Sequence, residues 1–466
     1  MTRVIQAMAG FAEWLLSFPV DQLKYLFLLT LSLFLGYVFR VFLSYQTTPL
    51  HVRWIYHLVL GFSFCLFCFN VWDTLLVVFF VGVAYVLLHT LSLKHIVWAM
   101  MVYALSFTIF VHFLCMKRSY GSWDLSVTGP IMMIAQRITY VACELFDGLG
   151  RPDGELSEDQ RRLKITERPS ILQFFSYTFS FVGILAGPAC SYKDFANYIS
   201  GANMKRLDNP NRYARAKEHN HDPSPALPVI LKATRSILCL VLYLATSSIV
   251  SKDSLLNETG LRKVILTFVL MHHIRLMYYF TFIICEASCN ISGLGFTGYD
   301  DKGEAQWDMV QGMSVLSVEF PVNLREMIAS WNMMTVQWLR RCVFERSQFN
   351  PALLTFIVSS LWHGVYPGYH ITFFIFYCGK TAATKVRKNF RHYFQGSPSL
   401  KVFYDILTTV STCIMRDVTV IPFVYLTTEE FVKGWSNVFF IPILICFLLL
   451  LLPNKSRGIN SKSHKE

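Results

Sequence analysis

Long apolar runs, each near the ~20 residues that a helix needs to cross a bilayer, alternate with polar connections along this chain. They cover residues 25–39, 54–71, 75–91, 96–116, 171–189, 229–250, 264–285, 353–378, 402–426 and 437–452. A weaker run, 130–146, carries Gln136 and Arg137; it is expected to face protein, because a charge in hydrocarbon is costly. Lipid offers no partner to open backbone groups, so each run predicts a helix. The pattern predicts an all-α polytopic membrane protein with about ten or eleven transmembrane or re-entrant helices. Run 171–189 lies between two polar stretches, 147–169 and 191–228, that both carry several Lys and Arg. A full crossing would put one of them on the wrong side by the positive-inside rule. Re-entry removes the conflict, and Gly183, Gly187 and Pro188 make a broken helix plausible there. The whole chain, 1–466, reads as one membrane-embedded domain ending in a basic polar tail, 453–466.

A third polar stretch, 288–350, is too polar to span but is not loop-like. SWNMMTVQWLRRC places Trp331, Thr335 and Trp338 on one helical face, with Arg340 and Arg341 beyond. That spacing predicts an amphipathic helix lying at the membrane surface.

Composition agrees with a lipid solvent. Hydrophobic residues make up 54% and charged residues 15%, where a soluble domain carries about a quarter charged. The net charge of +12 does not indicate nucleic acid, because its cations sit between apolar runs, as at Lys380, Lys385, Arg387, Lys388 and Arg391, or in the tail at Lys455, Arg457, Lys462 and Lys465. Such placement fits the positive-inside rule and an anionic membrane surface. The 12 cysteines are scattered. Cys65 and Cys68 form a C-x-x-C inside apolar GFSFCLFCFN, with no second pair at ligand spacing, so they read as small buried hydrophobes and no metal site is expected. Near the start, Arg3 precedes a short amphipathic run bracketed by Glu13 and Asp21, which does not read as a cleavable leader.

His363 is the first candidate for chemistry. It sits deep in LLTFIVSSLWHGVYPGYHITFFIF, where an ionisable group is costly and points to function. The structural alternative is a neutral imidazole bonded to a neighbouring helix. Gly364, Pro367 and Gly368 follow directly and should break the helix there, and irregular backbone at membrane depth is tolerated where it lines a cavity. A histidine beside such a break is well placed for proton transfer. Asn332 is the second candidate, as an oxyanion or positioning donor or as a plain surface residue of the amphipathic helix. Gly293, Gly295 and Gly298 spell G-x-G-x-x-G but lack a preceding strand, so the dinucleotide reading fails. His272 and His273 adjoin Arg275 in an apolar helix, and Asn257 lies in an N-E-T glycosylation pattern. No G-x-S-x-G elbow or P-loop occurs, and no histidine is followed five residues on by aspartate. The acyltransferases built on that His–Asp dyad are thereby excluded.

Trp331–Asn332 and Trp362–His363–Gly364 resemble the signature of the membrane-bound O-acyltransferase family, an Asn in a W-N context and a His in an apolar W-H-G context. LAGPACSYKDF (185–195), GFTGYDDKG (295–303), LWHGVYPGYH (361–370) and KNFRHYF (388–394) are similar to its vertebrate type 1 and type 2 lysophospholipid acyltransferases, and the likeness runs from about Ser126 to the last span. The chain departs from them at Leu276, Met277, Phe282 and Glu286. The resemblance implies a ring of helices around a central catalytic tunnel, and acyl-CoA as cosubstrate with no bound cofactor. It also implies a lysophospholipid acceptor and residence in the endoplasmic reticulum membrane. His363 and Asn332 would be catalytic. Trp331, Trp338, Trp362, Tyr366 and Tyr279 are candidate substrate-lining residues, and Arg341 and Arg346 candidates to meet the CoA phosphates. Acylation of a peptide or protein, and a non-enzymatic membrane transporter, are the rival readings.

Overall fold

A computed structural model describes residues 19–122, 125–204, 222–252, 255 and 258–454. In chain order, α1 (Val20–Phe42), α2 (Leu50–Cys68), α3 (Val71–Thr90) and α4 (Leu93–Arg118) follow one another through short turns. α5 (Thr128–Leu149), α6 (Glu158–Leu163), α7 (Ile171–Thr178) and α8 (Tyr192–Ser200) precede two long helices, α9 (Ala226–Ser247) and α10 (Gly260–Ser292). A two-stranded antiparallel ladder, β1 (Gly298–Tyr299) against β2 (Ala305–Gln306), comes next. Three short helices follow: α11 (Val315–Glu319), α12 (Leu324–Ser330) and α13 (Met333–Cys342). The chain closes with α14 (Pro351–His363), α15 (Pro367–Phe390), α16 (Pro398–Tyr425), α17 (Thr428–Ser436) and α18 (Ile441–Leu450). Among the described residues, seven helices, α1 to α4, α9, α10 and α16, are long and apolar enough to cross a membrane, and the bent pair α17–α18 counts as an eighth if taken as one span. The protein is a mostly helical, multi-pass membrane protein.

Packing divides the chain into two compact units, Met1–Leu242 with Leu276–Gly312 and Met334–Arg346, and Tyr243–Arg275 with Met313–Met333 and Ser347–Glu466. In the first, α5 is buried along almost its whole length, as its polar residues require. The Arg137 guanidinium donates to the carbonyls of Tyr177 (3.1 Å), Thr178 (2.9 Å), Ser180 (3.4 Å) and Val182 (3.1 Å). These carbonyls belong to the last residues of α7 and the irregular chain after it, so one cation satisfies backbone groups that lipid would leave open. Arg53 acts likewise on the carbonyls of Leu43, Ile199 and Tyr198. With eight residues α7 is only about 12 Å long, too short to cross, and Gly183 turns the chain at φ +92°. Segment 171–189 therefore does not span as a helix. Gly61 on α2 permits this segment to dock: a Cβ there would stand 1.4 Å from the Phe179 carbonyl oxygen. At the start of α8 the amides of Tyr192 and Lys193 donate to the buried Glu144 carboxylate at 3.1 and 2.9 Å, an acid placed at a helix N-terminus.

The second unit packs α15, α16, α17 and α18 around Ile375, Val418, Ile421, Phe431, Trp435 and Ile443. Trp435 satisfies its indole N–H on the Val418 carbonyl at 2.9 Å.

Several expectations change. The helix in SWNMMTVQWLRRC begins at Met333, so Trp331 closes α12 and does not share a face with Trp338. The apolar face of α13 lies against protein: Thr335 accepts from Gln136 Nε2 at 2.9 Å, and Trp338, fully buried, donates to Thr139 Oγ1 at 2.8 Å. Run 437–452 holds only a turn, with Phe439 and Phe440 in the left-handed region, and the ten-residue α18; α17 lies before the run and meets α18 at 94°. Run 353–378 is two helices, broken after His363. Gly293 and Gly298 sit at φ +100° and +119° in the chain leading from α10 to the ladder, which is turn geometry. Asn257, the segment around Arg3 and Glu13, and the tail cations lie outside the described residues.

Candidate active site

His363 is the last residue of α14. The helix ends there because Gly364 adopts φ 120°, ψ −158°, a conformation closed to side-chain-bearing residues, and Pro367 starts α15 with its fixed φ. The His363 ring is half-buried among aromatic rings. Phe373 lies nearly parallel to it at 5.2 Å, while Phe423 (5.0 Å) and Trp362 (4.7 Å) meet it edge-on. Tyr369 is 5.9 Å away and leads to Tyr366 at 6.1 Å.

The break is anchored on the end of α16. The Gly368 amide donates to the Leu426 carbonyl at 2.9 Å, and Leu426 is itself left-handed at φ 66°. Gly368 has no alternative here, since a Cβ would stand 2.0 Å from the Pro422 carbonyl oxygen. One helix therefore supplies both the Phe423 ring and the carbonyl that holds the turn.

Asn332 sits half-buried at the corner between α12 and α13, at φ 44°. Asparagine tolerates this conformation better than other side-chain-bearing residues. The corner belongs to segment 313–333, which is tied into the same unit by charge. Glu319 at the end of α11 accepts from Arg275 Nε at 2.9 Å and from Arg416 Nη1 at 3.2 Å. Asp417 accepts from Arg416 Nε at 2.8 Å and from Arg275 Nη1. The Arg416 guanidinium also reaches the Val318 carbonyl at 2.6 Å. Two cations and two carboxylates thus balance in a buried cluster joining α10, α11 and α16. Sequence reasoning singled out Arg275 but missed its partners. The available signal was the pair of charges Arg416–Asp417 inside an otherwise apolar run.

The second unit holds His363, Asn332, Trp331, Trp362 and Tyr366, and the first holds Trp338, Arg341, Arg346 and Tyr279. Tyr279 and Trp338 are fully buried. The two arginines are committed to carboxylates. Arg341 grips Asp159 with two bonds of 2.7 and 3.0 Å, and Arg346 grips Asp147 with bonds of 3.0 and 2.6 Å. Bidentate pairs of this kind hold α13 to α6 and the turn after α13 to α5, a structural use for cations expected at the CoA phosphates.

The fold defines a multi-pass helical membrane protein, and sequence comparison supplies its family and enzyme class. Residues 80–416 match the profile of the membrane-bound O-acyltransferase family. The chain is 32% identical over 456 residues to membrane-bound glycerophospholipid O-acyltransferase 2 of Homo sapiens, covering 96% of this chain and 88% of that protein. It is 34% identical over 449 residues to lysophospholipid acyltransferase 6 of Drosophila melanogaster, covering 94% and 62%. A lysophospholipid acyltransferase of Schizosaccharomyces pombe is 27% identical over 460 residues, covering 95% and 87%. The chain belongs to the membrane-bound O-acyltransferase family, and its activity is O-acyl transfer.

Proposed function

We propose that the protein transfers a fatty-acyl group from acyl-CoA to the free hydroxyl of a lysophospholipid, in phospholipid remodelling at the endoplasmic reticulum. The observation that carries this reading is likeness over nearly the whole chain to acyltransferases of vertebrate, insect and yeast that bear glycerophospholipid or lysophospholipid in their names. Acceptors with ethanolamine, choline and serine headgroups are the expected substrates.

Neutral His363 takes the proton of the acceptor hydroxyl as that oxygen attacks the thioester carbonyl. The tetrahedral intermediate collapses, the C–S bond breaks, and the proton passes from His363 to the departing CoA thiolate. A thiolate leaves readily, so the step needs neither metal nor prosthetic group. Asn332 donates to the developing oxyanion or orients the attack. Trp331, Trp362 and Tyr366 shape the apolar surroundings, while Arg341 and Arg346 support α13.

The test is acyl transfer from labelled oleoyl-CoA in membranes expressing the full chain, with lysophospholipids and an acceptor peptide side by side. Label is expected in phospholipid; label confined to peptide would overturn the acceptor. The left-handed corner permits a clean test of Asn332. Asn332→Gly keeps the backbone conformation and removes only the side chain, and turnover is expected to fall on the order of 10²–10³-fold. Folded Asn332→Gly protein with full turnover would remove Asn332 from the chemistry.

A further inference from the structure

α14 and α15 touch on either side of their break, Phe356 against Tyr377 at 5.9 Å, His363 against Tyr369 at 5.9 Å, and at two further places that share a face of each helix. Ser360 Oγ meets His370 Nδ1 at 3.1 Å. Three residues further along each helix, the His363 ring lies on the Phe373 ring at 5.2 Å with an interplanar angle of 24°. Residues three apart on a helix share a face, so Ser360 stands under His363 and His370 under Phe373. The polar contact therefore lies one turn from the aromatic one, on the same two helix faces.

The direction of the polar contact follows from counting hydrogens. The Ser360 hydroxyl has one hydrogen and gives it to the Ile357 carbonyl at 2.8 Å. The arrangement that satisfies both contacts has the same oxygen accepting from His370 Nδ1–H at 3.1 Å, and in that tautomer His370 donates across the break whether its ring is neutral or protonated.

We infer that His370 is a positioning residue of the acyl-transfer site: its Nδ1–H bond to Ser360 clasps the two half-helices and fixes the His363 ring on Phe373. This rests on the assignment of His363 proposed above. The clasp matters because the break itself leaves the backbone weak. Gly364 contributes no side-chain restraint, and small displacements of a reacting group are costly to rate.

The experiment uses the purified full chain in detergent micelles, with oleoyl-CoA and lysophosphatidylethanolamine. His370→Ala and Ser360→Ala are each expected to lower kcat about tenfold with KM held within about twofold. Combining them should lower kcat no further than either alone, because each removes the same bond. His370→Asn places an amide N–H close to where Nδ1–H stood. It is expected to keep half or more of the kcat, with the wild-type dependence of kcat on pH. Full kcat in both alanine variants would overturn the clasp, as would multiplied losses in the double variant. A His370→Asn enzyme as slow as His370→Ala would also overturn it, by showing that the imidazole itself is needed. If His370→Ala yields no folded protein, Ser360→Ala, which removes a single hydroxyl, decides the question in its place. His363→Ala in the same assay separates the two levels: full rate there sinks the site, whereas loss there beside full rate in His370→Ala sinks only the clasp.

Discussion

Replacing His363 by alanine is expected to lower turnover by about 10²–10⁴-fold, the range that a positioned general base contributes, while the protein still folds. The ring is half-buried at a helix end, and the break beside it is held by other groups, namely the Gly368 amide on Leu426 and the Ser360–His370 contact. Glutamine at this position should not restore the rate, because an amide cannot take the hydroxyl proton at neutral pH. Initial rates with labelled acyl-CoA, read beside a size-exclusion profile, make the comparison. Near-wild-type rates in His363→Ala would falsify the assignment.

The largest stability loss is expected from Asp417→Ala. Removing it leaves Arg275 and Arg416 with one carboxylate, Glu319, among buried groups. Breaking a buried ion pair from one side costs about 3–5 kcal/mol, and thermal unfolding in detergent should register it as a clear drop in midpoint. Asp417→Asn, which keeps the shape and one acceptor oxygen, should lose less. Acid acts on the same cluster through Glu319. Burial opposes its ionisation, but hydrogen bonds from His272 and Arg275 and the charges of Arg275 and Arg416 hold its carboxyl well below the usual range. A depressed carboxyl contributes stability above its unfolded value, about 4.3. That contribution disappears as pH falls from there through the folded value. A midpoint unchanged between neutral pH and pH 3 would contradict it.

The positions of the membrane elements were legible because apolar runs are local. The break after His363 was legible for the same reason, since Gly364 and Pro367 act on their own backbone. What stayed hidden was set by distant partners. Nothing near Trp338 announces Thr139, 199 residues away, so an amphipathic helix expected at the membrane surface lies against α5. Arg341 and Arg346 looked available because Asp159 and Asp147 are remote in sequence. The Arg416–Asp417 pair disappeared into the average hydropathy of its run, and Pro442, which opens α18 just after the bend at Phe439–Phe440, was overlooked inside the apolar run. Of the site, the histidine and its turn could be read from sequence. The ring on which it rests and the helix that anchors the turn could not.

The Arg137 carbonyl clamp also imposes an order on biogenesis. Its acceptors emerge from the ribosome 40 to 45 residues after the arginine itself. Until then α5 carries a cation with nothing to shelter it from lipid, so it has to wait in the insertion machinery or at the headgroups. Insertion of this helix is thus coupled to synthesis of residues 177–182, and a nascent chain stalled before Tyr177 would present an unassembled charge for surveillance to recognise.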